Sequence, residues 1–221
     1  MNGTWSGPVR DRSDPARLLR QETVHVGGKW RVDVEQVEIA GHQVTRDVLI
    51  HPGAVAVLVL NEHDEVLLIR QYRQAVGMFL FETPAGLLDK RDEDPLVAAQ
   101  RELAEEAGVS AARWETLVDF YNSPGGSSEA IRIYLAREIT DLPHGRIVTG
   151  EAEEMDLPTV WVPLAEAVDL VLSGDLGNPT AVLGILAAWA WRSHPTAVLR
   201  EANCVWSARE GLKALGKLPA V

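Results

Sequence analysis

One cysteine, Cys204, stands among 221 residues. No disulfide can form within the chain, nothing asks for an oxidising compartment, and the residue reads as a partly buried thiol. Basic charge is short: 21 Lys and Arg face 32 Asp and Glu, a net charge of -11. That balance excludes a general nucleic-acid or anionic-membrane surface, and an anionic substrate would need a metal ion to approach it. Long apolar runs are missing too. The apolar stretch Ala181 to Trp191 falls far short of the ~20 residues a membrane span needs. Residues 1–20 lack the apolar core of a signal peptide, so a cytoplasmic location is expected. There is no G-x-x-x-x-G-K-[ST] phosphate loop, and the Gly-Gly pairs at 27 and 125 open no dinucleotide fingerprint. The histidines are scattered without metal-ligand spacing. Neither an internal repeat nor a low-complexity tract is present.

What is present is a globular composition, 46% hydrophobic, sufficient for one sizeable domain. Residues 1–20 are polar and broken by Gly and Pro, which reads as a loose arm. Residues 21–52 alternate, with Trp30, Val32 and Val34 on one phase and Val37 and Ile39 on the other. This predicts a short antiparallel sheet turning at Gly41-His42, with a bulge or crossover at the change of phase. Ala54–Leu60 is a continuous apolar run and Glu65–Arg73 resumes after a turn, which together predict a central hairpin. Further strands are expected at Phe79–Glu82, Glu115–Tyr121, Ala130–Ala136 and Val160–Val162. Helices are expected at Leu164–Ser173 and Pro179–His194, the second capped by Asn178. Strands on both sides of one helix, with more helices later, give an α/β arrangement with a mixed sheet between helices.

The densest chemistry lies between Gly86 and Val109. Asp94-Pro95 reads as an N-cap and first helical residue, and Gly108 as a left-handed terminator, so a helix is predicted from Pro95 to Ala107. At ~100° per residue, Leu96, Ala99, Leu103 and Ala107 share one side, with Glu102 and Glu106 about 40° apart beside them. Arg101 precedes Glu105 by four residues and can pair with it. A solvated amphipathic helix would look much the same from this run alone. The flanking Glu82-Thr83-Pro84-Ala85-Gly86 adds a loop able to present a backbone carbonyl, and hard divalent ions take such oxygens with one or two carboxylates and substrate phosphates.

This segment resembles the Nudix box, Gly, five residues, Glu, seven residues, Arg-Glu-aliphatic-x-Glu-Glu-x-Gly-aliphatic. Glu93, Arg101, Glu102, Leu103, Glu105, Glu106, Gly108 and Val109 all match. One departure is a loop insertion, since six residues rather than five separate Gly86 from Glu93. The resemblance implies a Nudix α/β/α sandwich over residues 53–194, preceded by an N-terminal antiparallel sheet (21–52) and followed by a tail (195–221). It implies Mg²⁺, with Mn²⁺ as a substitute, held by the carbonyl of Ala85 with Glu102 and Glu106. Glu105 assists, and Arg101 and Glu93 support the loop and helix.

Four further stretches resemble the ADP-ribose pyrophosphatase branch of that family. Gln71-Tyr72-Arg73 reads equally as an ordinary strand end or as a cation and phenol facing substrate. In the branch such a triplet precedes the box, as does Glu82-x-Pro84-Ala85-Gly86, whose glutamate lies near the metal site. Ser123 to Glu129 has the composition of a plain flexible loop, yet Pro124 lies sixteen residues beyond Gly108, where that branch carries a proline. By the same resemblance Ser127 and Glu129 belong to the substrate loop, while Gly126 stands where an aromatic is common. The acidic run Glu151 to Asp156 reads by itself as a solvated turn. The branch places its catalytic glutamate in a loop at this position, which favours Glu154, then Glu153.

The implied activity is Mg²⁺-dependent hydrolysis of ADP-ribose to AMP and ribose 5-phosphate by a homodimer whose N-terminal strands reach the partner's active site. The alternatives are another nucleoside-diphosphate-sugar pyrophosphatase and a nucleotide-sensing Nudix-like protein without catalysis.

Overall fold

The fold is built on β4 (Ala54–Val59). In the computed structural model, which describes residues 4–146, 157–194 and 196–219, every residue of this strand is buried. Ala54, Ala56 and Leu58 enter one core and Val55, Val57 and Val59 the other, which is why its apolar run shows no alternation. It pairs in parallel with β9 (Ala130–Asp141) and antiparallel with β7 (Ala85–Leu87). Beyond β9 lie β8 (Val109–Tyr121) and the short β11 (Arg200–Glu201), giving the order β11-β8-β9-β4-β7. Helix α1 (Pro95–Ala107) and α4 (Ser207–Ala214) cover the Val55 side, and α2 (Leu164–Ser173) and α3 (Pro179–Arg192) the other. The expected α/β/α sandwich with a mixed sheet is therefore the fold, and α1 and α2 keep the bounds read from their sequences. No helix among the described residues is long and apolar enough to cross a membrane.

The central hairpin is a correction. Strand β5 (Glu65–Arg73) joins a second sheet with β6 (Met78–Glu82) and β10 (Thr159–Pro163), in the order β10-β5-β6. It meets the end of β4 only at the bridge Leu60↔Val66. Each strand already has both edges filled, β4 by β9 and β7, β5 by β10 and β6. The turn between them is tight: Asn61 Oδ1 accepts from the N–H of His63 and of Glu65, each at 2.9 Å, and Asp64 takes φ 58°.

A third sheet contains β1 (Arg17–Val26), β2 (Arg31–Ile39) and β3 (His42–Ile50). Strand β1 thus begins inside the stretch read as a loose arm. The β2–β3 register runs unbroken from Arg31↔Ile50 to Ile39↔His42, and the irregularities sit in β1, at Leu18/Arg20 and Thr23/His25. The pleat buries Asp33 and Glu35 rather than the neighbouring Val32 and Val34. Asp33 is tolerated because Gln21 Nε2 and Thr23 Oγ1 each donate to it at 2.7 Å and Arg31 Nε at 3.1 Å. Burial alone would raise its pKa, but these hydrogen bonds outweigh burial and lower it.

The C-terminal stretch holds more structure than a tail. Trp206 is buried in the α1-side core, and the buried Arg132 donates to the carbonyl of Cys204 at 2.9 Å while forming a two-point pair with Asp119 at 2.7 and 2.9 Å. Lys217 then pairs with Glu35, and Arg31 Nη2 donates to Gly216 O at 3.3 Å, returning the chain end to the N-terminal sheet.

Candidate active site

Helix α1 is fixed at both ends by the residues its sequence indicated. Asp94 Oδ1 accepts from the N–H of Leu96 at 2.8 Å, Pro95 follows it, and Gly108 closes the helix at φ 69°. Ala98, Ala99 and Leu103 are fully buried, and Glu102 and Glu106 sit beside them, themselves buried. A solvated amphipathic helix would leave those carboxylates in water. Buried carboxylates are costly unless paired, and Arg101 supplies much of the compensation. Its Nε and Nη2 donate to Glu93 at 2.9 and 3.0 Å, and its Nη1 donates to Glu102 at 2.7 Å and Glu105 at 2.9 Å. The hydrogen bonds to Glu93 are the main reason the Arg101 pKa is driven far above its ordinary value. In return they hold Glu93 below the usual carboxylate range. The i, i+4 pair read from sequence is thus one arm of a three-glutamate clamp.

The floor facing these glutamates is β7. Ala85 donates its N–H to Glu106 Oε2 at 2.8 Å. At Gly86 an added Cβ would lie 2.0 Å from Glu102 Oε1, so only glycine lets Glu102 rest against the strand. Upstream, Pro84 O accepts from Val57 N at 2.8 Å, and Thr83 Oγ1 meets Thr180 Oγ1 at 2.9 Å. The segment is thereby pinned to both β4 and α3.

Glu82 is buried at the end of β6 and takes a two-point ion pair from Arg73, at 2.9 and 2.6 Å. Strand alternation splits the Gln71-Tyr72-Arg73 triplet. Gln71 and Arg73 share the Glu82 face of the sheet. Tyr72 points to the other, where its ring lies 5.2 Å from that of Phe79 and the Arg70 guanidinium sits 4.1 Å over the same Phe79 ring.

The loop carrying Pro124 is held to the N-terminal sheet. Leu49 N donates to Gly126 O at 2.8 Å and Ser128 N to Leu49 O at 2.9 Å. Glu129 Oε2 accepts from Asn122 at 2.8 Å, its other oxygen lies 3.6 Å from His51 Nε2, and Ser127 Oγ accepts from Glu129 N at 3.1 Å. These bonds run within the loop and to the sheet rather than to α1. His51 is a neutral-favouring histidine: burial lowers its pKa, and Glu129 only partly opposes this.

Glu153 and Glu154 lie outside the described residues. Their flanks are placed: Arg146 Nε donates to Glu105 O at 3.2 Å, and Arg146 Nη1 to Leu157 O at 3.4 Å. Arg146 and Leu157, the described residues on either side of that stretch, therefore meet beside α1. Sequence reading missed Arg146, which carries no motif. It also missed the packing role of Gly86, for which the fixed glycine of the box was the available signal.

The donor chemistry fits a hard divalent cation. Glu102, Glu105 and Glu106 offer carboxylate oxygens on consecutive turns, and the bare Gly86 lets one of them approach the β7 backbone. No three His, Cys, Asp or Glu groups among the described residues converge into a ready-made cage. An ion that keeps water and completes its coordination with substrate phosphate needs only one or two of these carboxylates.

Comparison with known proteins agrees with this geometry. A model of the NUDIX domain matches residues 50–181. The chain is 40% identical over 173 residues to an ADP-ribose pyrophosphatase of Mycobacterium tuberculosis (strain ATCC 25618 / H37Rv), covering 78% of this chain and 82% of that protein. It is 35% identical over 170 residues to a methanol dehydrogenase activator of Bacillus methanolicus, covering 76% and 90%. Among solved structures, an ADP compounds hydrolase shares the fold with a TM-score of 0.70 at 24% identity, over 86% of this chain and 100% of that one.

Proposed function

Because this chain belongs to the Nudix family, we propose that it is a pyrophosphohydrolase that cleaves ADP-ribose to AMP and ribose 5-phosphate with Mg²⁺, Mn²⁺ serving as a substitute. The observation that carries the reading is the carboxylate set beside Gly86: Glu102 and Glu105 are clamped by Arg101, Glu106 accepts from Ala85 N, and Glu102 and Glu106 are buried. The ADP-ribose pyrophosphatase relative at 40% identity supports the choice of substrate.

Glu102 and Glu106, with the carbonyl of Ala85, would hold the metal, and Glu105 assists. When bound, the ion supplies neutralisation of the diphosphate charge and polarisation of the phosphorus–oxygen bond to be broken. Arg101 and Glu93 keep the carboxylates in place before substrate arrives, so little reorganisation is needed at the moment of reaction. Glu154, or Glu153 next to it, accepts a proton from the attacking water as its oxygen bonds to phosphorus. The bridging P–O bond breaks and two phosphate monoesters leave. The meeting of Arg146 and Leu157 at Glu105 supports a base from this segment. Gln71 and Arg73, on the Glu82 face, and the loop of Pro124, Ser127 and Glu129 line the substrate side, with Glu82 holding Arg73 in position. Tyr72 acts from the opposite face of its strand.

The protein works as a homodimer in this reading. Leu18, Val37 and Val44 form one cross-strand row on the N-terminal sheet, and Leu18 and the nearby Ile39 are exposed apolar side chains. A second copy would cover them.

The test is product chromatography after incubation with ADP-ribose, GDP-mannose or an oxidised deoxynucleoside triphosphate, each with and without Mg²⁺. AMP and ribose 5-phosphate formed only with metal is the expected result. Faster GDP-mannose cleavage would shift the assignment to another nucleoside-diphosphate-sugar pyrophosphatase, and no turnover of any substrate would favour a sensing role.

A further inference from the structure

A cavity of ≈ 470 Å³, a size suited to small ligands, opens between the loop before α1 and α4. Its wall is unusual for a chain of net charge -11. Lys90 and Arg91 come from the loop, and Arg209 and Lys213 from α4, while Leu88 and Leu218 supply apolar surface. None of Glu102, Glu105 and Glu106 lines it. Its three acidic members, Asp92, Glu93 and Glu210, do not cancel the four cations: Glu210 is exposed and forms no ion pair among the described residues. Glu93 is already committed to Arg101, and Asp92 pairs only loosely with Arg91, at 3.8 Å with both side chains exposed.

Arg209 is the informative residue. Its Nη1 donates to Pro52 O at 2.6 Å, and among the described residues no carboxylate forms an ion pair with it. Burial lowers its pKa, with Glu210 opposing only through a longer-range charge interaction, as for a cation that has lost water without gaining a counter-ion. It packs closely against the backbone beside it: Gly53 adopts φ 83°, and a Cβ there would meet Ala130 O at 3.0 Å and Arg209 Nη1 at 3.3 Å. Lys213 follows Arg209 by four residues on α4, so the two cations share one helix face, an arrangement that costs free energy unless an anion is shared between them. An underpaired guanidinium, two neighbouring ammonium groups and a part-apolar wall suit a doubly charged oxyanion carrying an organic group.

We propose that this cavity is a binding site for a phosphate monoester, held by Arg209 and Lys213 from α4 and by Lys90 from the loop. The site would join α4 to the loop that carries Glu93, and it stands whether or not the substrate assignment above is correct.

The test is thermal unfolding of the full chain in EDTA, which keeps divalent metal from the glutamate site, with inorganic phosphate or phenyl phosphate titrated at constant ionic strength. A saturable rise in Tm is expected, stronger for phenyl phosphate because of the apolar wall. The apparent Kd should weaken by about tenfold or more in Arg209→Gln, as loss of a charge-assisted contact requires, and remain unchanged in Glu106→Gln. Should Arg209→Gln fail to fold, Lys213→Gln and Lys90→Gln, both exposed positions, carry the same expectation. No saturable shift in the wild type, or an equal shift in the cavity variants, overturns the proposal. A shift lost in Glu106→Gln alone also overturns it, since the ligand would then occupy the glutamate site.

Discussion

Gly86 and Glu102 are in such close contact that any side chain on the first would displace the second: a Cβ at Gly86 would fall 2.0 Å from Glu102 Oε1 and 2.1 Å from its carboxyl carbon. Gly86→Ala should therefore fold, because a side-chain carboxylate can swing aside, while turnover falls by about a hundredfold, the usual effect of a misplacement near 1 Å. Circular dichroism and kcat measured on the same preparation decide it. Unchanged kcat would mean that Glu102 need not rest against β7.

Glu106→Gln retains an oxygen able to accept from Ala85 N and removes only the charge. Turnover should drop by about a hundredfold or more at saturating Mg²⁺ while the melting temperature stays near that of the wild type. A folded variant with near-normal turnover would remove Glu106 from the metal-binding set.

Glu154→Gln should lower kcat by about a hundredfold, within the range a general base contributes, with little change in KM. If Glu153→Gln shows the loss instead, the segment is right and the residue wrong. Loss in neither variant places the base elsewhere.

Stability should carry an acid limb from Glu93. Its folded pKa is depressed, chiefly by the hydrogen bonds from Arg101, so its contribution is complete above the unfolded carboxylate value and is lost as pH falls through the lower folded value. Urea midpoints followed from neutral to acid pH should fall less steeply in Glu93→Gln than in the wild type. Parallel curves would show that the pair contributes no pH-dependent stability.

Association should depend on the Leu18–Val37–Val44 row. Replacing Leu18 and Val37 by Glu places two charges on a surface that a partner must dehydrate, and sedimentation at micromolar concentration should shift from dimer to monomer. A wild-type monomer under those conditions would refute the dimer itself.

The helices were legible because their determinants are local. Asp94, Pro95 and Gly108 bound α1, and Asn178 caps α3 with its side chain accepting from Thr180 N and Ala181 N at 2.9 and 3.1 Å. The box carboxylates were legible for the same reason, as residues at fixed spacing on one helix. Pairing choices were not: Ala54–Leu60 and Glu65–Arg73 look like the two arms of a hairpin until β9 and β10, far along the chain, claim the edges. The inward turn of Asp33 and Glu35 was equally hidden, since Gln21, Thr23 and Lys217 make it tolerable and lie on other segments. Arg146 acts through two carbonyls, which no side-chain pattern announces.

The parallel ladder of β4 and β9, with Ala54 beside Ile131 and Val59 beside Ala136, imposes an order of events on the newly made chain. The box helix is synthesised between these strands, and so is β8. The floor beneath α1 stays incomplete until a large loop has closed, a slow step in chains dominated by distant contacts. Helical signal should return early in refolding, whereas catalysis waits for that closure. Stopped-flow circular dichroism run beside timed activity assays should show the lag, and recovery of both on one time course would contradict it.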